Sequence, residues 1–356
     1  MPQPLRYVIL GAGGISQFHV DAYAKLPDVT PVGFVDTNPE ALERWKTRFP
    51  EAAFDHDPVR LLEKARPDLV SVCSPNSSHA ELTQFAFAAG AHVMCEKPMA
   101  MSVEQAEEME AARQKADRLG AIHFTYRSVA SVRFAREIIR SGELGRIQRM
   151  NVRYLQSWLG SELQPFVWRN DIDTAGSGTL GDLGVHMIDV AGFITGLKPL
   201  RTVGITQTLL GKRKTAAGAE RQVTTDTNAS FLMEYDNGAI GTFETSQIAP
   251  TYGNFFHVEI SGDRGVLRVC NEQDKSIGLL AGATISRYGT WSNENVPSIT
   301  LPSYFVNEQP KSMQEVFVKA IRGEAVEYAT FADGVFSQRC MAAVQESVGT
   351  GRWTNI

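Results

Sequence analysis

The first 125 residues alternate between short apolar runs and helical spacing. Leu5–Leu10 is an apolar run, followed by Ile15, Phe18, His19, Ala22 and Leu26 at helical intervals and then by a second run over 31–35. The alternation continues with helices over 40–49 and 59–64, a strand at 69–73, a helix over 78–89, a strand at His92–Cys95, a helix over 103–119 and a strand at 121–126. Strands alternating with helices through short loops predict a Rossmann arrangement, a doubly wound parallel sheet.

Beyond Tyr126 the period changes. A helix over 132–141 ends at Gly142, the strand Ile147–Gln156 follows, and Gly176-Ser177-Gly178 leads into a helix over 180–195. Runs at 202–210, 229–235, 239–246, 255–261 and 266–270 alternate with period two or are shortly apolar. Hairpin-like turns join them, notably Asp236-Asn237-Gly238 and Gly262-Asp263-Arg264-Gly265. This pattern predicts an α+β domain with a large open, mainly antiparallel sheet, one face toward helices and the other toward a partner subunit. Residues 211–226 read as an exposed polar excursion, and helices near 312–322 and 332–348 close the chain. The boundary falls at 125, giving one domain over 1–125 and a second over 126–356.

Candidate chemistry lies at the strand ends. Gly11-Ala12-Gly13-Gly14-Ile15-Ser16 follows the first strand and opens a helix, so its backbone amides face a diphosphate at a helix N-terminus. Asp36 ends the second strand, about 20 residues beyond Ser16, where a dinucleotide site has its ribose-binding acid. Its charge repels a 2′-phosphate and Thr37 and Asn38 supply no cation, so NAD is expected over NADP. The loop Ser74-Pro75-Asn76-Ser77 lies at another strand end beside the cofactor, and it also caps the helix that carries His79 in its first turn. Residues 93–95 end in Glu96-Lys97-Pro98, which fixes a lysine at the sheet edge where ligands bind. On the later helix, Asp182 and His186 stand one turn apart with Asp189 beyond them, while Leu183, Val190 and Phe193 mark the buried side. Without HExxH or clustered histidines, no metal is expected.

Composition narrows the partners. The chain has 356 residues, 43% hydrophobic and 21% charged, with net charge −5, which suits a soluble protein of two domains. Its longest basic run is Lys212-Arg213-Lys214, so neither nucleic acid nor an anionic membrane is expected as a partner. No apolar run spans a bilayer, and the N-terminus lacks signal-peptide features. Cys73, Cys95, Cys270 and Cys340 show no CxxC spacing and read as free thiols in a reducing compartment, so a cytoplasmic location is expected.

In order, Gly11-x-Gly13-x-x-Ser16, Asp36, Ser74-Pro75-Asn76-x-x-His79, Glu96-Lys97-Pro98, Trp168-Arg169 and Gly176-Ser177-Gly178-x-x-x-Asp182-x-Gly184-x-His186-x-x-Asp189 resemble the glucose–fructose oxidoreductase / inositol dehydrogenase (Gfo/Idh/MocA) family. Ser16 and Ser177 depart from the usual pattern by one small residue each. The resemblance implies an NAD(P)-dependent oxidoreductase of sugars, inositols or related polyols, dimeric or tetrameric through its C-terminal sheet. It implies catalytic roles for Lys97, Asp182 and His186, and a contact of Glu96 with the nicotinamide ribose. Gly11, Gly13, Gly14, Ile15, Asp36, Ser74, Asn76, His79, Glu96 and Lys97 form the expected cofactor set. Lys97, Arg127, Tyr154, Trp168, Arg169, Asp182 and His186 form the expected substrate set, with Gln156, Trp158, Asn170, Asp173 and His257 as further polar or aromatic candidates. Two rival functions are a glycoside hydrolase that retains NAD and oxidises its sugar transiently, and a dinucleotide-binding sensor without turnover.

Overall fold

The computed structural model describes residues 4–161, 163–271, 283–287, 298–299, 307–308 and 310–356. By its contacts the chain divides into two units: residues up to 125 with 310–338, and residues 126–309 with 339–356. The sequence pattern assigns all of 126–356 to the second domain. The stretch 310–338 instead joins the first unit: Ile122 N donates to Ala329 O (2.9 Å), Ala121 bridges Thr330, and the Phe331 ring stands edge-on to Phe87.

The first unit holds six parallel strands: β1 (Leu5–Leu10), β2 (Val29–Val35), β3 (Ala53–Asp55), β4 (Leu69–Val72), β5 (His92–Cys95) and β6 (Gly120–Ile122). Their order is β3-β2-β1-β4-β5-β6, so the winding reverses between β1 and β4 and opens a crevice at the carboxyl ends of those strands. Helices α1 (Ser16–Tyr23), α2 (Pro39–Arg48), α3 (Pro58–Ala65), α4 (His79–Ala88) and α5 (Val103–Ala116) connect them. The central strands read as unbroken apolar runs because a doubly wound sheet is covered on both faces. Asn38 and Asp57 cap α2 and α3, each followed by a proline that prefers the first helical position. Strand β3 escapes the sequence pattern. Its three residues are too few to show a period; parallel pairing with β2 and the stacking of Phe54 on Phe34 (5.5 Å) fix it instead.

The second unit is built on a mixed sheet. Its strands are β7 (Ile147–Gln156), β8 (Pro199–Gln207), β11 (Asn228–Tyr235), β12 (Ile240–Ser246), β13 (Asn254–Gly262), β14 (Gly265–Asn271), β15 (Ala283–Arg287), β16 (Ser298–Ile299) and β17 (Thr354–Asn355). They run in the order β16-β15-β14-β13-β7-β12-β11-β8-β17, and among the described pairings β7–β12 is the parallel one. Ala229, Phe231, Met233 and Tyr235 of β11 are buried while Ser230 and Leu232 between them are exposed, the period-two signature of a sheet with one covered face. Helices α6 (Ala130–Arg140), α7 (Ile172–Ala175) and α8 (Val185–Thr195) belong to this unit, α9 (Met313–Ile321) to the first, and α10 (Phe331–Thr350) passes from one to the other at Gln338.

Two local expectations are refined by the structure. Residues 211–226 are mostly exposed, as expected, but they are ordered. They pair as a hairpin, β9 (Lys212–Lys214) with β10 (Glu220–Gln222), and Arg213 is only 3% exposed. Its guanidinium donates to the carbonyls of Ser161 (2.9 Å), Gln164 (3.0 Å) and Leu159. The helix expected over 180–195 is α-helical only from Val185. Leu180–Gly184 forms a π-helical turn, a local insertion frequent at functional sites. From Val185 to Ile194 every residue of this helix except Gly192 is buried, His186 and Asp189 included, so its apolar residues do not mark a separate side. Among the described residues, no helix is long and apolar enough to cross a membrane.

Candidate active site

In the first unit the fingerprint loop leaves β1 at Gly11, whose φ is +94°. A Cβ there would lie 2.5 Å from Ser74 N, so the tight turn beside β4 excludes any side chain. A Cβ on Gly13 or Gly14 would meet no atom within 4 Å, and Ile15 is exposed, so the loop presents its backbone to open space. Two backbone amides hold Asp36 in place, its carboxylate accepting from Ala12 N (2.7 Å) and Asn38 N (2.8 Å). These residues fit a dinucleotide, with diphosphate on the loop and a ribose at Asp36. Thr37 and Asn38, next to Asp36 in sequence, hold no cation. The structure brings one, because Arg44 of α2 lays its guanidinium on the loop, donating to Ala12 O (2.6 Å), Gly13 O and Ser16 Oγ (3.2 Å).

The end of β5 carries more than the sequence disclosed. Glu96 Oε1 accepts from His19 Nε2 (2.9 Å) and His123 Nδ1 (2.6 Å), and all three side chains are buried. His19 Nδ1 lies 3.2 Å from Ser71 Oγ, which also meets Tyr23 OH at 2.8 Å. Gln314 of α9 places its amide nitrogen 2.9 Å from His123 Nε2. Burial, then the neighbouring His123, push the His19 pKa down to about 4, so His19 is neutral at pH 7. Burial alone would raise Glu96, but His123 and His19 outweigh it and hold the carboxyl well below its usual range.

Clustered histidines, which the sequence did not show, therefore exist in three dimensions, and their ligand atoms lie within 4.8 Å of one another. The spacing is that of proton bridges. Ligands around a tetrahedral zinc at about 2.0–2.2 Å stand about 3.3 Å apart, whereas Glu96 Oε1 is 2.6 and 2.9 Å from the two imidazoles.

His79 is held by the protein on both sides of its ring. It is fully buried, with Nδ1 2.9 Å from Pro98 O and Nε2 3.0 Å from Ser74 O. Both ring nitrogens face protein carbonyls, so His79 ties the Ser74 loop to the turn after Lys97. Asn76 is buried at the start of a single 3₁₀ turn, and Ser74 Oγ accepts from Ser78 Oγ (2.7 Å).

A neutral buried histidine has a sign-definite consequence. Its folded pKa lies below the unfolded value near 6.5, so its contribution to stability is complete above pH 6.5 and is lost as pH falls toward 4. For His19 the whole effect is about 3 kcal/mol, and His92, which burial also lowers to about 4, adds to it. Calorimetric melts are expected to hold steady from pH 8 to 6.5 and then fall through pH 4. His19→Gln should flatten that slope.

The second unit gathers another group. His186 lies in the first turn of α8, with the Tyr126 ring nearly perpendicular at 5.2 Å and the Tyr154 ring at 6.1 Å; Phe256 stacks on Tyr126 at 4.3 Å. Burial, then Tyr126, push the Tyr154 hydroxyl up, so it stays protonated, and it accepts from Gln156 Nε2 (3.3 Å). Asp182, in the π-helical turn, accepts from Gln247 Nε2 (2.8 Å) and lies 3.5 Å from Arg169 Nε. The Arg169 guanidinium in turn covers the Trp168 ring at 4.3 Å. Asp226 fixes the turn itself: its carboxylate accepts from Gly178 N (2.7 Å) and Leu180 N (2.9 Å), and a Cβ on Gly178 would lie 1.8 Å from Asp226 O.

Arg127 does not stand open to a substrate. It is buried, its Nε donates to both oxygens of Asp189 at 3.0 Å and its Nη2 to Oδ1 at 2.5 Å, and its guanidinium lies over Phe193. The structure thus pairs Arg127 with Asp189 as a buried ion pair.

Comparison with known proteins settles the family. Residues 5–124 match the model described as "Oxidoreductase family, NAD-binding Rossmann fold" and residues 132–268 match "GFO/IDH/MocA C-terminal domain". The chain is 30% identical to D-glucoside 3-dehydrogenase of Escherichia coli over 98% of its own length and 96% of that protein's. It belongs to the Gfo/Idh/MocA family.

The Gfo/Idh/MocA fold extends over the whole chain. A levoglucosan dehydrogenase solved with NADH and L-sorbose superposes with a TM-score of 0.87 at 25% identity, covering 99% of each chain. An oxidoreductase domain protein from Kribbella flavida gives 0.86 at 29% over 100% of each. Levoglucosan dehydrogenase of Pseudarthrobacter phenanthrenivorans is 30% identical over 74% of this chain and 73% of its own. This Gfo/Idh/MocA protein is thus an NAD-binding oxidoreductase by family. Sequence reading missed Gln247, Asp226, Arg213, His19, His123, Gln314 and Arg44. Their partners lie far along the chain or, for Arg44, in the backbone of a loop, where no local motif points.

Proposed function

We propose that this enzyme oxidises a secondary alcohol of a pyranose or related polyol, with NAD preferred to NADP. The observation that carries the reading is the grouping of a buried imidazole, His186, with aromatic rings and with an arginine-paired carboxylate, Asp182, in the second unit. Polar groups beside flat rings suit a polyhydroxylated ring with apolar faces. Relatives support a glucose-configured substrate: by name they act on D-glucosides, levoglucosan and glucose 6-phosphate, the first and last at position 3. We take the position-3 hydroxyl of such a ring as the reacting group.

When bound, NAD supplies the hydride acceptor. An alcohol is a very weak acid, so a base within hydrogen-bond reach must take its proton as hydride leaves carbon; the O–H electrons then close the carbonyl. His186 takes that proton. Lys97, as an ammonium, stabilises the developing alkoxide, which requires both groups to reach one alcohol carbon. Asp182, steadied by Gln247 and Arg169, orients His186 or a neighbouring hydroxyl. The same reading makes the protein a cytoplasmic homodimer or homotetramer, using the outer sheet face where Ile205, Leu232 and Ile240 are exposed.

A panel of glucosides, levoglucosan, glucose 6-phosphate and inositols, followed by NADH absorbance with NAD and with NADP, tests the proposal. Stoichiometric NADH with a pyranose is the expected result. Glycoside cleavage without net NADH, or no reaction with any member, overturns it. Asp36→Ala should weaken NAD roughly tenfold to a hundredfold, the worth of a charge-assisted hydrogen bond. With Arg44 left on the loop it should also bring the NADP rate up to that of NAD, measured as the ratio of kcat/KM values.

A further inference from the structure

We infer that His19 and His123, braced by Ser71 and Gln314, are positioning residues that hold Glu96 as a fixed buried anion beside the nicotinamide half of the site, tilting the bound cofactor toward its oxidised form. The inference rests on the dinucleotide reading above and adds a device that sets the cofactor's poise.

The placement follows from topology. Asp36 ends β2 and marks the adenosine side of the switch point between β1 and β4, so the side of β4, β5 and β6 is left for the nicotinamide. Glu96 follows the last residue of β5, and its Oε2 accepts from Lys97 N at 3.3 Å.

The network's hydrogen bonds run from both ends toward the carboxylate. Tyr23 donates to Ser71, Ser71 to His19 Nδ1, and His19 Nε2 to Glu96. Gln314 donates to His123 Nε2, and His123 Nδ1 donates to Glu96. Each imidazole points an N–H at the carboxylate, so the two rings fix Glu96 Oε1 from both sides. Tyr23 and Gln314, the two ends, are themselves buried, so the chain reaches no solvent through them and acts as a holder of charge more than a conduit for protons. Oxidised nicotinamide carries a positive charge that the reduced ring lacks, and in a medium of low dielectric an anion nearby favours the former.

The test is the ratio Kd(NAD⁺)/Kd(NADH), measured by calorimetric titration of the full chain. Glu96→Gln keeps an acceptor for both imidazoles and removes the charge. It should raise the ratio about tenfold, equivalent to about 30 mV in the bound couple. His123→Asn and Gln314→Leu should raise it in the same sense by about threefold, and Glu96→Gln/His123→Asn should go no higher than Glu96→Gln alone. A ratio unchanged in Glu96→Gln overturns the inference, whether or not the absolute affinities fall. A shift in Glu96→Gln with none in His123→Asn and Gln314→Leu overturns the positioning role of the imidazoles. Wild-type protein that binds neither dinucleotide fails the dinucleotide reading itself, a result visible before any variant is made.

Discussion

Replacing His186 with Ala is expected to lower kcat about a thousandfold, within the usual range for loss of a general base, while the Kd for NADH changes by less than about threefold. The asymmetry is the informative part. His186 lies in the second unit among Tyr126 and Tyr154, whereas the fingerprint loop and Asp36 lie in the first. A base lost from the former should therefore leave dinucleotide binding by the latter intact. Steady-state kinetics with the best sugar of the panel gives the first number, and NADH fluorescence titration gives the second. Truncating His186 also opens a space beside two tyrosine rings, so His186→Asn, which keeps much of the volume, separates chemistry from packing. A variant of either kind with undiminished turnover removes His186 from the reaction.

What the sequence disclosed and what it hid follow one physical division. The glycine loop was legible because a chain that reverses in three residues must use glycine, and Gly11 indeed has no room for a side chain against Ser74. Asp36 was legible because its distance from that loop is set by one helix and one strand. Lys97 was legible because a charge closing an apolar strand marks a sheet edge.

The Glu96 network was not. His19 and Glu96 are 77 residues apart, and Gln314 and His123 are 191 apart, and only the winding of the first unit brings them together. Arg213 was misread for a related reason. A basic residue between Lys212 and Lys214 looks solvated, and nothing local shows that three carbonyls await its guanidinium. The π-helical turn at Leu180–Gly184 is likewise set from a distance, since the Asp226 carboxylate takes the Gly178 and Leu180 amides. Local rules recovered the elements and the motifs at their ends; the side chains that hold those motifs in place come from elsewhere in the chain.

Arg127 and Asp189 give the second large effect. Asp189→Ala is expected to destabilise the protein by about 3–5 kcal/mol, because it leaves a buried guanidinium without its carboxylate. At about 2–4 °C per kcal/mol for a unit of this size, the melting temperature should fall by about 10 °C. The pair itself is worth much less than that loss suggests, because removing two charges from water costs nearly what their attraction returns. The double replacement Arg127→Met/Asp189→Leu should therefore recover most of the stability. Calorimetry of the two variants checks both statements, and kinetics on the double variant decides what Arg127 is for. If the ion pair only packs α8 against its surroundings, the KM for sugar stays within about twofold of wild type. A KM raised more than tenfold in a protein that melts normally would return Arg127 to the substrate set in which its sequence position first placed it.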